Sequence, residues 1–105
     1  MGEKGKIAIA SDHAGRELKE DLLEFLSTLG FKPVDMGTNG AESVDYPDYG
    51  VLVAGKVSTG EFEKGILICA TGVGMSIVAN KFSNVRAALV ADVYTARMAR
   101  EHNDA

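Results

Sequence analysis

Short apolar runs alternate with stretches of helical periodicity along this chain. Residues 6–10 and 31–36 are short and apolar, which is typical of strands. Between them, large apolar residues recur three and four positions apart, at Leu18, Leu22, Phe25, Leu26 and Leu29, before Gly30. That spacing predicts an amphipathic helix ending at the glycine. Its solvated face is predicted to carry Arg16, Glu17, Lys19, Glu20 and Asp21.

The rest of the chain repeats this alternation. The predicted elements are a loop over 38–45, a helix from Pro47 to about Ser58, a strand over 66–70, a short helix over 74–81, a strand over 86–91 and a helix from Asp92 towards Arg100. The strand over 66–70 is apolar at almost every position, as expected of a central strand covered on both faces. The alternation predicts one α/β domain over residues 1–105, with a parallel sheet of four strands and helices on both faces.

Composition narrows the class of protein. The formal net charge is −4 at pH 7, so a basic surface for nucleic acid or for anionic membranes is not expected. The N-terminal residues lack the apolar stretch of a signal peptide, and no window is long and apolar enough to span a bilayer. One cysteine forms no internal disulfide, and no cysteine–histidine cluster has zinc spacing. These features predict a soluble cytoplasmic protein without a structural metal and without nucleic-acid or membrane partners.

Cys69 is the main candidate for chemistry. It follows the apolar run 65–68 and precedes a glycine turn, Ala70-Thr71-Gly72-Val73-Gly74, that opens the short helix. Backbone N–H groups in such a turn favour negative charge on a thiolate or on an anionic intermediate, and ligands of α/β sheets bind at the carboxyl ends of strands. The turn therefore predicts a base beside an oxyanion cradle. The alternative is that Cys69 is a small hydrophobic residue of the core.

Other polar motifs follow predicted strands and are therefore expected at the same edge of the sheet. Asp12 and His13 come after the first strand. Asp12 is expected to cap the next helix, and the helix dipole favours a neutral His13 that can donate a hydrogen bond to an anionic ligand. The alternative for His13 is a solvated loop residue. Asp92, after the fourth predicted strand, is expected to be a helix cap.

The segment Gly72-Val73-Gly74 also permits a dinucleotide-binding interpretation, with Asp92 at about the offset of a ribose-binding acid. Against it, the third glycine position of that motif is Ile77, and the turn follows the third predicted strand rather than the first. No Gly-Lys-Ser/Thr follows, which argues against a loop for nucleoside triphosphates. We therefore expect no nucleotide cofactor.

Two further motifs have a structural explanation beside a functional one. Tyr46-Pro47-Asp48-Tyr49 is first a helix start and only second a ligand contact. His102-Asn103-Asp104 is by pattern alone a polar helix end, with a functional role as the alternative.

Taken together, these segments resemble the ribose-5-phosphate isomerase B family, which also contains the galactose-6-phosphate isomerase subunits. The matching segments are Ala8-Ile9-Ala10-Ser11-Asp12-His13-Ala14-Gly15, Asp45-Tyr46-Pro47-Asp48-Tyr49, residues 65–77, Ala79-Asn80-Lys81 and His102-Asn103-Asp104. The resemblance implies a Rossmann-like three-layer α/β/α sandwich. It also implies a homodimer or tetramer whose active site lies at the subunit interface, and an enzyme of the pentose phosphate pathway. That enzyme interconverts ribose 5-phosphate and ribulose 5-phosphate without a metal or cofactor.

The resemblance also implies roles for individual residues. Cys69 corresponds to the catalytic base, and the glutamate base of some members has Met75 in its place here. His102 matches the proton donor associated with opening of the sugar ring. The positions that match substrate-binding residues are Asp12, His13, Tyr46, Ala70, Thr71, Gly72, Val73, Gly74 and Asn103. The implied intermediate is a cis-enediolate, whose charge is met by the glycine-turn N–H groups and the Asn103 amide.

Family members continue past the segment His102-Asn103-Asp104 through a fifth strand and a final helix, which carry arginines that bind the substrate phosphate. The resemblance therefore implies a domain that is incomplete at its C-terminus, and a 105-residue form that binds and isomerises sugar phosphates poorly. Two alternatives stay open. One is an isomerase of allose 6-phosphate or galactose 6-phosphate, and the other is a non-catalytic sugar-phosphate-binding subunit.

Overall fold

The structure is a computed structural model that describes residues 5–37 and 46–105. Strands and helices alternate along it, as the sequence pattern predicts. The elements in order are strand β1 (Lys6–Ser11), a 3-10 turn (His13–Gly15), helix α1 (Arg16–Thr28), strand β2 (Lys32–Asp35), helix α2 (Tyr46–Ser58), strand β3 (Lys64–Ile68), helix α3 (Val73–Ala79) and helix α4 (Val93–Asn103). The predicted loop over 38–45 lies outside the described residues.

The three strands form a parallel sheet in the order β2-β1-β3. β1 is the central strand, and all of its residues except the first are buried. In register, Ile9 pairs with Asp35 of β2 on one side and with Ile66 of β3 on the other. The expectation that the strand over 66–70 is central is therefore wrong: β3 is an edge strand of the described sheet. It ends at Ile68, which leaves Cys69 just beyond its carboxyl end.

Helices cover both faces of this sheet. On one face, two fully buried alanines of β1, Ala8 and Ala10, pack with Val53 of α2. Their small side chains let α2 approach the sheet closely. The other face carries Ile68, against which the turn His13–Gly15 packs before α1 begins. The arrangement is a Rossmann-like α/β/α fold. In residues 5–37 and 46–105, no helix combines the length and the apolar composition needed to cross a bilayer.

The predicted fourth strand over 86–91 is wrong. Residues 85–90 have no regular secondary structure and join no strand of the described sheet. This segment and β3 line a common open cavity of about 610 Å³. Instead, the Ala87 N–H donates to Oδ1 of Asn80 (2.9 Å), and Nδ2 of Asn80 donates to the Ala87 carbonyl (2.8 Å). One side-chain amide thus anchors the segment to the end of α3.

Arg86 connects the same segment to the last helix. Its Nε donates to the carbonyl oxygens of Asn103 (3.0 Å) and Asp104 (3.2 Å), and its Nη2 lies 2.9 Å from Oδ2 of Asp104. A guanidinium at the carboxyl end of a helix satisfies carbonyl groups that have no partner within the helix. These contacts hold the end of α4 close to the end of α3, because Asn80 holds the neighbouring residue of the segment.

Candidate active site

The edge of the sheet where β1 and β3 end carries the first group of predicted site residues. The Asp12 N–H donates to the Ile68 carbonyl (3.0 Å), so the residues that follow the two strands lie side by side. Asp12 is half-buried, and its Oδ1 accepts a hydrogen bond from the Gly15 N–H (2.9 Å). It caps the 3-10 turn His13–Gly15 rather than, as predicted, α1 itself, because this turn stands between Asp12 and the start of the helix, whose N-cap is Gly15. His13 is exposed in that turn.

The turn packs directly on β3 because Gly15 has no side chain. A Cβ atom at this position would lie 2.5 Å from Cγ2 of Ile68, closer than two such carbon atoms approach in proteins. The requirement is steric alone, since Gly15 has a φ of −94°, which other residues adopt readily. The missing side chain therefore lets Asp12 and His13 lie beside the end of β3, next to Cys69.

Cys69 is the first residue after β3 and is half-buried. Its Sγ accepts a hydrogen bond from the Gly72 N–H at 3.2 Å. Gly72 has a φ of +82°, a left-handed conformation that glycine adopts without strain, and α3 begins at the next residue. The Val73 N–H in turn donates to Oγ1 of Thr71 (3.2 Å). Two internal hydrogen bonds therefore close the glycine turn, and their acceptors are the Cys69 sulfur and the Thr71 hydroxyl oxygen.

The same turn leaves backbone donors available at the start of α3. The N–H groups of Gly72 and Val73 already have acceptors within the turn. Those of Gly74 and Met75 belong to the first turn of the helix, where no intrahelical acceptor exists, and no other acceptor contacts them in the described part of the chain. Met75 is buried and Gly74 is partly exposed, so the Gly74 N–H is the one of the two that a negatively charged oxygen can reach.

His102 and Asn103 lie elsewhere. They are the exposed last residues of α4, and Arg86 holds the Asn103 carbonyl. Asn80, at the C-terminal end of α3, lines one small cavity together with Arg86 and Asn103. Cys69 is at the opposite end of α3, and a helix of seven residues is about 10 Å long. The structure therefore brings Asp12, His13 and the segment 69–74 together, and it places His102 and Asn103 away from them.

Two other predicted positions are helix starts. Tyr46 is the first residue of α2, as predicted, and its side chain lies outside the described part of the structure. Asp92 caps α4: its Oδ1 accepts the Thr95 N–H at 2.7 Å, and this hydrogen bond lowers the pKa of the Asp92 carboxyl below its ordinary value. The predicted capping role of Asp92 is confirmed.

Lys19 lies on the buried side of α1 and not on its solvated face. The prediction that it belongs to the solvated face of α1 is wrong, because Lys19 is fully buried. Its Nζ lies 2.8 Å from Oδ1 of Asp35, the last residue of β2. Lys19 precedes Leu22 and Leu26 by three and seven residues, so it lies on the apolar stripe of the helix. That spacing is the signal in the sequence that points to its burial.

The groups at the sheet edge define the chemistry that is available there. A thiol, a carboxylate and an imidazole adjoin free backbone N–H groups, an arrangement suited to moving a proton next to a developing negative charge. Over residues 5–37 and 46–105, no group of three or more His, Cys, Asp or Glu side chains is placed to hold a metal ion.

The fold and this edge define a class of proteins, the open α/β domains with parallel strands, whose ligands bind beyond the carboxyl ends of the strands. The sequence profile of one family in this class, described as Ribose/Galactose Isomerase, matches residues 7–105. The chain belongs to this family of aldose–ketose isomerases.

Named relatives and solved structures agree with that assignment. Ribose-5-phosphate isomerase B of Escherichia coli (strain K12) is 46% identical over 99 residues, which are 94% of this chain and 66% of that protein. The structure of Clostridium thermocellum ribose-5-phosphate isomerase B has a TM-score of 0.92 at 54% identity, covering 95% of this chain and 68% of that one. The structure of the Mycoplasma genitalium enzyme with bound ribulose-5-phosphate has a TM-score of 0.90 at 48% identity, and the match covers 95% of this chain and 67% of that one. The chain thus spans about two thirds of the length of these relatives.

Proposed function

We propose that this chain acts as an aldose–ketose isomerase that interconverts ribose 5-phosphate and ribulose 5-phosphate. The observation that carries the proposal is the half-buried Cys69 thiol, which accepts the Gly72 N–H two residues before the free N–H group of Gly74. The names of the relatives support this substrate pair. The Escherichia coli and Clostridium thermocellum proteins are named for ribose 5-phosphate, and the Mycoplasma genitalium structure contains ribulose 5-phosphate.

Cys69 is the proposed base. Its sulfur takes the proton from C2 of the open-chain aldose, which leaves a cis-enediolate. It then returns a proton to C1 while the hydroxyl proton on O2 passes to O1, which completes the ketose. The negative charge of that intermediate falls on oxygen atoms, which backbone N–H groups at the start of α3, that of Gly74 among them, are proposed to bind. Because these donors are backbone groups fixed by the start of α3, they need little reorganisation when the charge develops.

The neighbouring side chains are proposed to bind the substrate. Oδ1 of Asp12 is engaged by the Gly15 N–H, which leaves Oδ2 to accept a hydrogen bond from a sugar hydroxyl. The exposed imidazole of His13 is suited to donate a hydrogen bond to an anionic part of the ligand. His102 is proposed to assist opening of the sugar ring as a proton donor, with the side chain of Asn103 as a further contact to the substrate.

We further propose that the active site is shared between two copies of the chain. Cys69 precedes α3, whereas Asn103, the neighbour of His102, lines a cavity with Asn80 just after the opposite end of that helix, so a site that uses both Cys69 and His102 is most simply built from two subunits. Exposed apolar side chains next to Cys69 support self-association there. Val73 is 50% exposed and Ile77, one helical turn further along α3, is 55% exposed.

The second candidate function is the isomerisation of galactose 6-phosphate or allose 6-phosphate. The family description favours it, because galactose is named there alongside ribose. All of these substrates carry a C1 aldehyde in the open-chain form, a C2 proton and a terminal phosphate, so the same groups of the chain would act on them.

Proton exchange with solvent tests the proposal. The chain is incubated with ribose 5-phosphate in D₂O, and NMR follows both loss of the C2 proton and formation of ribulose 5-phosphate. Escherichia coli ribose-5-phosphate isomerase B serves as the positive control, and the two hexose 6-phosphates are run in parallel. Exchange that is fastest with ribose 5-phosphate supports the proposal. Binding without exchange identifies a non-catalytic sugar-phosphate-binding subunit, and exchange that is faster with a hexose phosphate identifies the second candidate.

A further inference from the structure

A buried ion pair ties helix α1 to the end of β2. Lys19 has no exposed surface, and its Nζ lies 2.8 Å from Oδ1 of Asp35, whose side chain is 29% exposed. Transfer of an ammonium group out of water costs free energy that its attraction to a carboxylate must first offset, so a buried ion pair is by itself weak evidence for stability. The position of this pair suggests a different role.

The same carboxylate oxygen also holds the backbone that follows β2. Oδ1 of Asp35 accepts the Gly37 N–H at 2.9 Å, and the Gly37 carbonyl accepts the Ser11 N–H at 2.7 Å. Ser11 is the last residue of β1 and directly precedes Asp12. Successive polar contacts therefore lead from the Lys19 ammonium to the backbone at Asp12.

The opposite side of Asp12 is held by β3. The Asp12 N–H donates to the Ile68 carbonyl (3.0 Å), and Gly15 packs against the Ile68 side chain. Lys19 follows Gly15 by four residues, about one helical turn. The beginning of α1 thus contacts β3 at Gly15 and β2 at Lys19. The corner formed by residues 12–15 is supported from both strands that flank β1.

We infer that Lys19 is a positioning residue for Asp12 and His13. It acts through Asp35 and Gly37, without contact to the substrate. Its effect on the corner is independent of catalysis, whereas its effect on substrate affinity rests on the proposed function. Removal of the ammonium group should raise KM more than it lowers kcat, because Cys69 and the start of α3 are held by separate contacts.

Three variants test this inference. Lys19→Met keeps the length and packing of the side chain but removes its charge. Asp35→Asn keeps an acceptor for the Gly37 N–H but removes the negative charge that faces Lys19. If Lys19→Met does not fold, Asp35→Asn is used in its place. Lys56→Met is the matched control, because Lys56 forms an exposed ion pair with Glu61 (2.6 Å) at the far end of α2.

Amide hydrogen exchange measured by NMR is the first readout and needs no activity. Lys19→Met should accelerate exchange at Ser11 and Asp12 about tenfold relative to the rest of the chain. Asp35→Asn should do so at least as much, because it leaves the Lys19 ammonium buried without this carboxylate, and Lys56→Met should leave both amides unchanged. Unchanged exchange at these amides, or equal acceleration throughout the chain, would overturn the inference. The second readout is the ratio of the KM and kcat effects for ribose 5-phosphate, and a loss of kcat at constant KM would also overturn it. If the wild-type chain does not isomerise the sugar, the proposed function fails while the exchange data still decide the role of Lys19.

Discussion

The Gly72 N–H lies 3.2 Å from the sulfur of Cys69 and donates a hydrogen bond to it. This bond closes the turn between β3 and α3, and it requires the left-handed conformation of Gly72 at φ +82°. A side chain at that position would be strained, and its Cβ would lie 3.3 Å from Cγ of Leu89. The position of the thiol, the conformation of Gly72 and the start of α3 therefore depend on one another.

Replacement of Cys69 by alanine should slow exchange of the C2 proton of ribose 5-phosphate by about 10²–10⁴-fold, the usual contribution of a positioned proton-transfer group. Thermal unfolding followed by circular dichroism should change little, because the thiol is only half-buried. Cys69→Ser is the matched control: it keeps an acceptor for the Gly72 N–H but supplies a much weaker base, so it should be nearly as slow. Wild-type exchange in the alanine variant would contradict the assignment of Cys69.

Mixing of two inactive variants tests the shared site. Cys69→Ala and His102→Asn chains are each expected to turn over ribose 5-phosphate slowly. If each site takes Cys69 from one copy and His102 from the other, random mixing of dimers should restore about a quarter of the wild-type rate, because half of the dimers then contain one intact site. The measurement is turnover after unfolding and refolding of the mixture. Size-exclusion chromatography checks that the refolded mixture contains dimers. If dimers are present and turnover does not recover, either both residues act within one chain or one of them takes no part in the reaction.

Gly15→Ala should destabilise the fold by about 1–3 kcal/mol, since the new methyl group would lie 2.5 Å from the Ile68 side chain. Gly55→Ala is the control. Gly55 is inside α2, where an added Cβ meets only Phe82 at 3.7 Å, so the higher helix propensity of alanine should leave stability unchanged or raise it by up to about 1 kcal/mol. Urea unfolding of both variants provides the comparison, and equal stabilities would argue against close packing of residues 12–15 on β3.

Because the Asp92 carboxylate caps α4, the free energy of unfolding should depend on pH in the acid range. The Thr95 N–H lowers the pKa of Asp92, so the ionised carboxylate is favoured in the folded chain. Its contribution is therefore fully present above the ordinary aspartate pKa and is lost as pH falls through the lowered folded-state value. Asp92→Asn keeps a capping side chain that does not titrate.

Unfolding free energies of the wild type and Asp92→Asn, measured from about pH 6 down to about pH 2, check this expectation. The wild type should lose stability relative to the variant below about pH 4. Parallel curves over the whole range would show that the carboxylate of Asp92 does not favour the folded state.

Local signals in the sequence were sufficient for the helix starts and for the position of the thiol. Asp12 and Asp92 cap the elements that follow them because capping involves residues only three positions apart. The run before Cys69 and the glycines after it likewise define a strand end and a turn within a few residues. Their functional roles stay predictions.

Features that depend on distant residues were not predicted. Residues 86–91 have the composition of a strand, but a strand needs a neighbour, and this segment joins no strand of the described sheet. The burial of Lys19 depends on Asp35, 16 positions later, whereas lysine as a residue type is almost always exposed. The position of His102 at the end of α4 follows from the contacts of Arg86 with Asn103 and Asp104 and of Asn80 with Ala87, which no local pattern specifies.

The two hydrogen bonds between Asn80 and Ala87 limit which changes of length α3 tolerates. One residue added between Gly72 and Asn80 would turn the amide by about 100° around the helix axis and shift it by about 1.5 Å, away from the Ala87 backbone. Insertions and deletions should therefore be excluded from α3.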